Sequence, residues 1–253
     1  MPRARHWFMK VSVNRSLIQL GLLVAVLLPA VTQAQFSFTT NNGALTIRSY
    51  TGPGGGVVIP SITNGLVVTS IGSNVFYNCW SLTSITIPDT ITNIAYEAFY
   101  NCYQLTSVTI PSSVISIEDD AFAFCSGLTS LYFKGIPPSA NYSIFDGDQI
   151  LPVYYLPGIS GWGSTFAGHI TILWNPQVET DDGSFGVRTN RFGFNIALNS
   201  DGFPMVIVVE ACSNFTNPVW QPLATNKLIG GSFYFSDPEW TNYPARFYRI
   251  RSP

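Results

Sequence analysis

A 23-residue periodicity dominates the chain. Ile71, Ile94 and Ile117 share this spacing, and so do Phe76, Phe99 and Phe122. It also relates Cys79, Cys102 and Cys125, then Leu82, Leu105 and Leu128, then Ile85, Val108 and Leu131, then Ile87, Ile110 and Phe133. Six apolar columns in one phase cannot belong to a domain with a single closed core. No such unit can bury its own apolar face, so the units must stack and share one continuous core. Adding 23 once more reaches Phe145, Leu151, Tyr154, Leu156 and Pro157, which predicts a decayed fourth copy whose Cys position holds Asp148. Upstream, Val57-Val58-Ile59-Pro60 reads as a related strand, with Pro60 preceding Pro88 by one repeat plus a five-residue insertion.

Within one unit, Ser84-Ile85-Thr86-Ile87 alternates polar and apolar residues and ends at Pro88. Alternation of period two predicts a strand with Ile85 and Ile87 inward and Ser84 and Thr86 outward. Proline lacks an amide donor, which suits a strand end. The segment Tyr96 to Cys102 must return the chain, and a short helical turn is expected there. The predicted fold is mainly β: a solenoid with short helical turns.

These units, Ile94-Ala-Tyr-Glu-Ala-Phe99-Tyr-Asn-Cys102-Tyr-Gln-Leu105-Thr-Ser-Val108-Thr-Ile110-Pro111 among them, closely resemble BspA-type leucine-rich repeats of bacterial surface proteins. The resemblance runs over residues 57–157. Tyr154-Tyr155-Leu156-Pro157 with Trp162 and Phe166 is similar to the capping end of such arrays. The resemblance implies an exported, non-catalytic protein that binds host, matrix or neighbouring-cell components.

Residues 1–34 read as a secretory signal. Arg3, Arg5, Lys10 and Arg15 precede an apolar run from Leu17 to Leu28, Pro29, and a Thr32-Gln33-Ala34 cleavage pattern. The run is shorter than the about 20 residues needed to span a bilayer. Removing it takes four of the twelve basic residues, leaving eight against fourteen acidic, a net charge of −6. No Lys or Arg occurs from Ser49 to Phe133. Nucleic-acid binding needs cations on phosphate and is set aside. The mature solenoid with its cap is assigned to residues 35–174 and a C-terminal module to 175–253.

In that module, strand-like runs (Arg191 to Ala197, Met205 to Ala211, Trp220 to Leu223, Phe233 to Phe235, Arg246 to Arg251) alternate with turn residues. They predict a small antiparallel β-sandwich serving spacing, sorting or attachment. Val209-Glu-Ala-Cys-Ser-Asn-Phe, Ser236-Asp-Pro and Arg246-Phe-Tyr-Arg-Ile-Arg resemble a C-terminal module of exported verrucomicrobial-type proteins.

Site chemistry is sparse. The three repeat cysteines fall in one column, so they are expected as buried free thiols rather than disulfides. Neither a CxxC pair nor a His cluster suggests zinc, and no cofactor or metal is expected. His169 is the one histidine after the leader, and no GxSxG accompanies it, so no catalytic residue is assigned and the chain is read as no enzyme. Glu118-Asp119-Asp120 and Asp146-Gly147-Asp148 are read as solvated acidic turns rather than calcium loops. The candidate ligand-binding residues are the outward columns Ser84, Ser107 and Ser130, and Thr86, Thr109 and Tyr132, with Trp80 and Tyr103 beside them. Hydroxyls beside aromatics suit a protein or a glycan at the cell exterior. Recognition or adhesion is the favoured function, with an accessory glycan-binding protein of a polysaccharide-degrading system as the alternative.

Overall fold

The computed structural model describes residues 11–12, 36–149, 151–197, 204–229 and 231–251. Residues 1–34, read as the leader, lie outside these except for Val11–Ser12, which pair with Arg246 and Ala245. The chain forms two compact units: one is the solenoid, ending at Leu173, and the other runs from Trp174 and includes Val11–Ser12.

The first unit is a β-solenoid. Its main face stacks parallel strands. Gly55–Val58 pairs with Leu82–Thr86, and Ser107–Ile110 with Ser130–Phe133 and then Val153–Tyr155. His169–Leu173 completes the face. Val57 aligns with Ile85, so the insertion sits between these two rungs. Ser130 aligns with Ser107, in register with the 23-residue repeat. A second face carries Leu66–Ile71, Asn93–Ile94 and Ser116–Ile117, also parallel. The hairpin Phe36–Asn41 with Ala44–Tyr50 closes the N-terminal end of this face.

The third side was expected to be helical, and in the inner rungs it is not. Asn74, Glu97 and Asp120 have positive φ, as do Asn78, Asn101 and Phe124 four positions later. Left-handed residues at this spacing cannot sit inside an α-helix. Instead the amides alternate. Those of Ala98, Tyr100 and Cys102 close tight turns onto Ala95, Glu97 and Phe99. Those of Glu97, Phe99 and Asn101 donate to Asp119, Ala121 and Ala123 of the next rung. Each buried amide thereby finds a partner while a flat ribbon of turns stacks at rung spacing. A 3-10 turn, Tyr142–Phe145, occurs in the decayed last copy.

That last copy also departs from the expected phase. Leu131 pairs with Val153 and Phe133 with Tyr155, an offset of 22. One residue is missing between Leu151 and the strand, so Val153, fully buried, takes the inward slot assigned to Tyr154. Tyr154 pairs with Tyr132 and stacks on it at 5.0 Å.

The core is a file of rings. Phe76, Phe99 and Phe122 lie face to face at 4.9 and 5.0 Å, within 5° of parallel. Tyr50 closes the file at one end (5.0 Å from Phe76). Phe145 and then His169 close it at the other, 6.3 and 4.7 Å apart along the series. His169 is thus the terminal ring of the core. Its Nδ1 accepts the Leu151 amide at 3.1 Å, and burial holds its pKa below the ordinary value. Trp162 seals the solenoid end against Phe133 and Tyr155 and donates to the Gly135 carbonyl.

The cysteines are free thiols. Cys102 donates to the Phe76 carbonyl and Cys125 to the Phe99 carbonyl, at 3.2 and 3.1 Å. A small apolar side chain with a weak donor fits this slot. The adjacent Cys102 thiol and burial hold the Cys125 thiol far above the ordinary range, so it stays protonated.

Asp148 occupies the next position of that column. Both its carboxylate oxygens are buried, neither with a well-formed hydrogen bond. Burial pushes its pKa up to about 7, offset only in part by the Cys125 backbone. A carboxyl raised on folding binds more protons folded than unfolded, so stability falls as pH rises from about 4 through 7. Asp148→Cys, which continues the column, should stabilise the protein by about 1–2 kcal/mol at pH 8 after allowing for solvent screening. The gain should shrink towards zero by pH 4.5. Denaturant melts at both pH values check this, and a gain equal at both would refute it.

The second unit is a sandwich of two antiparallel sheets. One comprises Gln177–Glu179, Gly186–Arg188, Arg191–Ala197 and Ser232–Asp237. The other comprises Pro204–Cys212, Gln221–Ile229 and Ala245–Arg251. Tyr248 of the second sheet packs on Phe192, Phe194 and Phe235 of the first, at 5.0, 6.1 and 5.9 Å.

Candidate interaction surface

The solenoid presents two regular surfaces, the outward side of the main strands and the edge of the turn ribbon. Along the strands, exposure falls from rung to rung. Ser84 and Thr86 are exposed, and Ser107 and Thr109 are half-buried. Ser130 and Tyr132 were expected to face solvent and are instead buried, each 2% exposed. Every residue of Ser130–Phe133 is buried, so both faces of that strand are covered. Tyr132 spends its ring on Tyr154. The accessible part of this face is therefore the N-terminal rungs.

The ribbon edge is aromatic. Trp80 and Tyr103 are 52% and 41% exposed, with ring centroids 6.2 Å apart at 28°. Tyr77 stacks on Tyr100 at 5.0 Å and 7°, and Tyr100 meets Phe124 at 5.2 Å. Sequence reasoning singled out Trp80 and Tyr103 and passed over Tyr77, Tyr100 and Phe124. Tyr77 and Tyr100 are one repeat apart, so the signal was present. It was masked because the third member of that column is Ala123 and the ring moves to Phe124. Asn78 and Asn101 run between these files as an amide ladder, with the Asn101 side chain donating to Asn78 at 2.8 Å.

The acidic turns are tied into the stack. The Glu118 carboxylate accepts from the Asn93 side chain and the Tyr96 amide, both 3.1 Å. Asp119 accepts from the Asn141 side chain, and the Ser143 hydroxyl meets the Asp120 amide. A shallow, open hollow of about 530 Å³ lies among Tyr96, Ser116, Glu118, Asp119 and Asn141. Carboxylates that already receive amide donors from neighbouring rungs act as staples between rungs.

Residues 58–161 match the model of the BspA type leucine rich repeat region, in six copies. Among curated proteins no relative matches the chain. Solved structures of leucine-rich repeat proteins resemble it over part of its length. A leucine-rich repeat protein from Bacteroides ovatus is 25% identical over 55% of this chain and 36% of its own, with a TM-score of 0.40. A leucine rich cell surface protein from Faecalibacterium prausnitzii is 32% identical over 55% of this chain and 41% of its own, also with a TM-score of 0.40. The chain thus spans about two fifths of those proteins or less. Among the described residues no helix is long and apolar enough to cross a membrane. The repeat match falls on the stacked rungs: over residues 58–161 the solenoid is similar to the BspA-type leucine-rich-repeat family.

Proposed function

We propose that the chain is an exported recognition protein whose solenoid binds a protein partner at the cell exterior without catalysis. The observation that carries this is the exposed aromatic edge of the ribbon, anchored by Trp80 and Tyr103. Large rings left in solvent across successive rungs contribute nothing to the core and cost solubility. Tryptophan and tyrosine are the side chains that most often carry interface energy. Ser84, Thr86, Ser107 and Thr109 flank this edge as polar contact surface. A protein partner suits it better than a sugar chain. A pyranose ring takes up one broad open aromatic face, whereas Tyr77 and Tyr100 each close one face on the other and Trp80 and Tyr103 are stacked likewise. The ring surface left exposed is divided among several side chains with their hydroxyls, which suits the side chains and backbone of a protein.

The test displays extracellular-matrix and cell-surface proteins beside a polysaccharide array. A protein ligand is expected, and replacing Trp80 and Tyr103 together by Ala should weaken it tenfold or more, about 1.4 kcal/mol. Thr86→Lys should weaken it without lowering the melting temperature. Selective polysaccharide binding with no protein ligand would replace this reading with the glycan-accessory one.

A further inference from the structure

Within that recognition reading, we propose that the Tyr77–Tyr100–Phe124 strip and the carboxylates beside it form a docking surface for an arginine-rich polypeptide segment of the partner. The strip and the carboxylates come from the same rungs. Glu97 and Asp120 occupy one column of the ribbon, one repeat apart and both at positive φ. They lie beside Tyr100: burial, then Tyr77, Glu97 and Asp120, push its phenol above the ordinary value. Tyr96 joins them, its phenol pushed up to about 12 chiefly by its hydrogen bond to Glu97. Asp146 adds a further negative charge next to Asp120.

This surface is rich in acceptors and lacks cations of its own. Arg48 and Lys134 are the only basic residues between 36 and 173 other than His169, against seven carboxylates. All three ion pairs found among the described residues lie in the C-terminal unit. The charge on Glu97 and Asp120 is therefore shared only with neutral donors such as the Asn74 side chain, 2.6 Å from Glu97. Exposed rings beside uncompensated carboxylates suit guanidinium. Its plane packs on aromatic surface and its fork pairs with carboxylates, while a strongly hydrated ammonium does the second far better than the first. Charge complementarity fixes the sign of the partner, and the exposed rings favour Arg over Lys.

The column itself supplies a variant that keeps the fold. Its first member is Asn74, also at positive φ, and asparagine tolerates that conformation. Glu97→Asn with Asp120→Asn extends an asparagine ladder like that of Asn78 and Asn101 while removing both charges.

The probes are fluorescent, N-acetylated hexa-arginine, hexa-lysine and hexa-glutamate peptides, titrated by anisotropy against the full chain at 50 and 200 mM salt. Hexa-arginine should bind at least fivefold tighter than hexa-lysine, with no binding of hexa-glutamate. The double Asn variant should lose tenfold or more and flatten the salt dependence, with its melting curve unchanged. Tyr100→Ala should lose fivefold for arginine and little for lysine. Equal binding of the two cationic peptides, or undiminished binding by the double Asn variant, overturns the proposal. Should a protein ligand sensitive to Trp80 and Tyr103 bind while hexa-arginine fails, the recognition reading stands and this docking surface falls alone.

Discussion

Phe99→Ala is expected to cost about 3–5 kcal/mol, the range for emptying a buried phenylalanine site. Phe99 is wholly buried and sits between two coplanar neighbours, 4.9 Å from Phe76 and 5.0 Å from Phe122. Its removal deletes two ring contacts, each worth about 0.5–1.5 kcal/mol beyond the area buried. The void cannot collapse easily, because the amide of Phe99 is bonded to Ala121 and its carbonyl takes both the Cys102 amide and the Cys125 thiol. A stacked array shares stability between neighbouring rungs, so damage at a middle rung uncouples the two ends. The solenoid transition should drop by about 10 °C or more. Phe145→Ala should cost less, since its contact with Phe122 is already loosened to 6.3 Å and 28°. Thermal unfolding followed by circular dichroism measures both. A loss under about 1 kcal/mol at Phe99 would mean that the rings do not carry the core.

The same ring file shows how far sequence reasoning reached. The periodicity specified which residues point inward, because a solenoid repeats one backbone path and one slot keeps one chemistry. Ile85, Val108 and Leu131 could be placed from the letters alone, as could the free thiols. The hydrogen-bonding of the return segment was not legible. An alternating pattern of turn and inter-rung bonds needs left-handed residues; Asn74, Asn78, Asn101 and Asp120 are types that enter that region, but Glu97 and Phe124 in the same two columns give no such signal in a list of letters, unlike glycine. Nor was the single-residue deletion before Val153. Two registers place an apolar residue in the slot, Val153 or Tyr154, and only the Tyr132–Tyr154 stack decides between them. The outward expectation for Ser130 and Tyr132 failed for a separate reason. Burial of a surface column depends on what packs over it, and periodicity within the repeat contains no such information. Trp80 and Tyr103 were legible because they directly follow the cysteine column, although their own column ends in Ser126; Tyr77 and Tyr100, in a column that loses its ring at Ala123, were passed over.

The C-terminal sandwich was read from strand-like runs and the turn residues between them, and the strands Gln177–Glu179 and Gly186–Arg188 were missed. Both are very short and bear no run of apolar residues. The words Ser236-Asp-Pro and Arg246-Phe-Tyr-Arg-Ile-Arg, singled out as a recurring module, turn out to meet each other. Asp237 accepts from Arg246 Nε at 2.7 Å and from the Tyr248 hydroxyl at 3.0 Å. Arg249 and Arg251 hold the buried Glu210 at 2.6 and 2.7 Å. Burial alone would raise the Glu210 pKa, and the two arginines more than reverse that, leaving it below the usual carboxylate value.

The Asp237–Arg246 pair is where this module should be most fragile. Both side chains are under a tenth exposed, and Arg246 lies over the Tyr243 ring at 3.9 Å. Asp237→Ala leaves a guanidinium in a site closed to water, which costs about 3–5 kcal/mol. Arg246→Met should cost a similar amount, because the Asp237 carboxylate then keeps only Tyr248 and its turn contact to the Glu239 amide. Changing both at once, Asp237→Leu with Arg246→Met, removes the uncompensated charges together. It should recover at least half of the combined loss, since a buried ion pair gains little over apolar packing once desolvation is counted. Arg249→Ala should cost less than either single change, because that side chain is 40% exposed and Glu210 retains Arg251. A double-mutant cycle by denaturant unfolding of the full chain measures the coupling. If the two single losses simply add, the pair is a surface contact in effect, and the clasp between the two motif words does not hold the sandwich together.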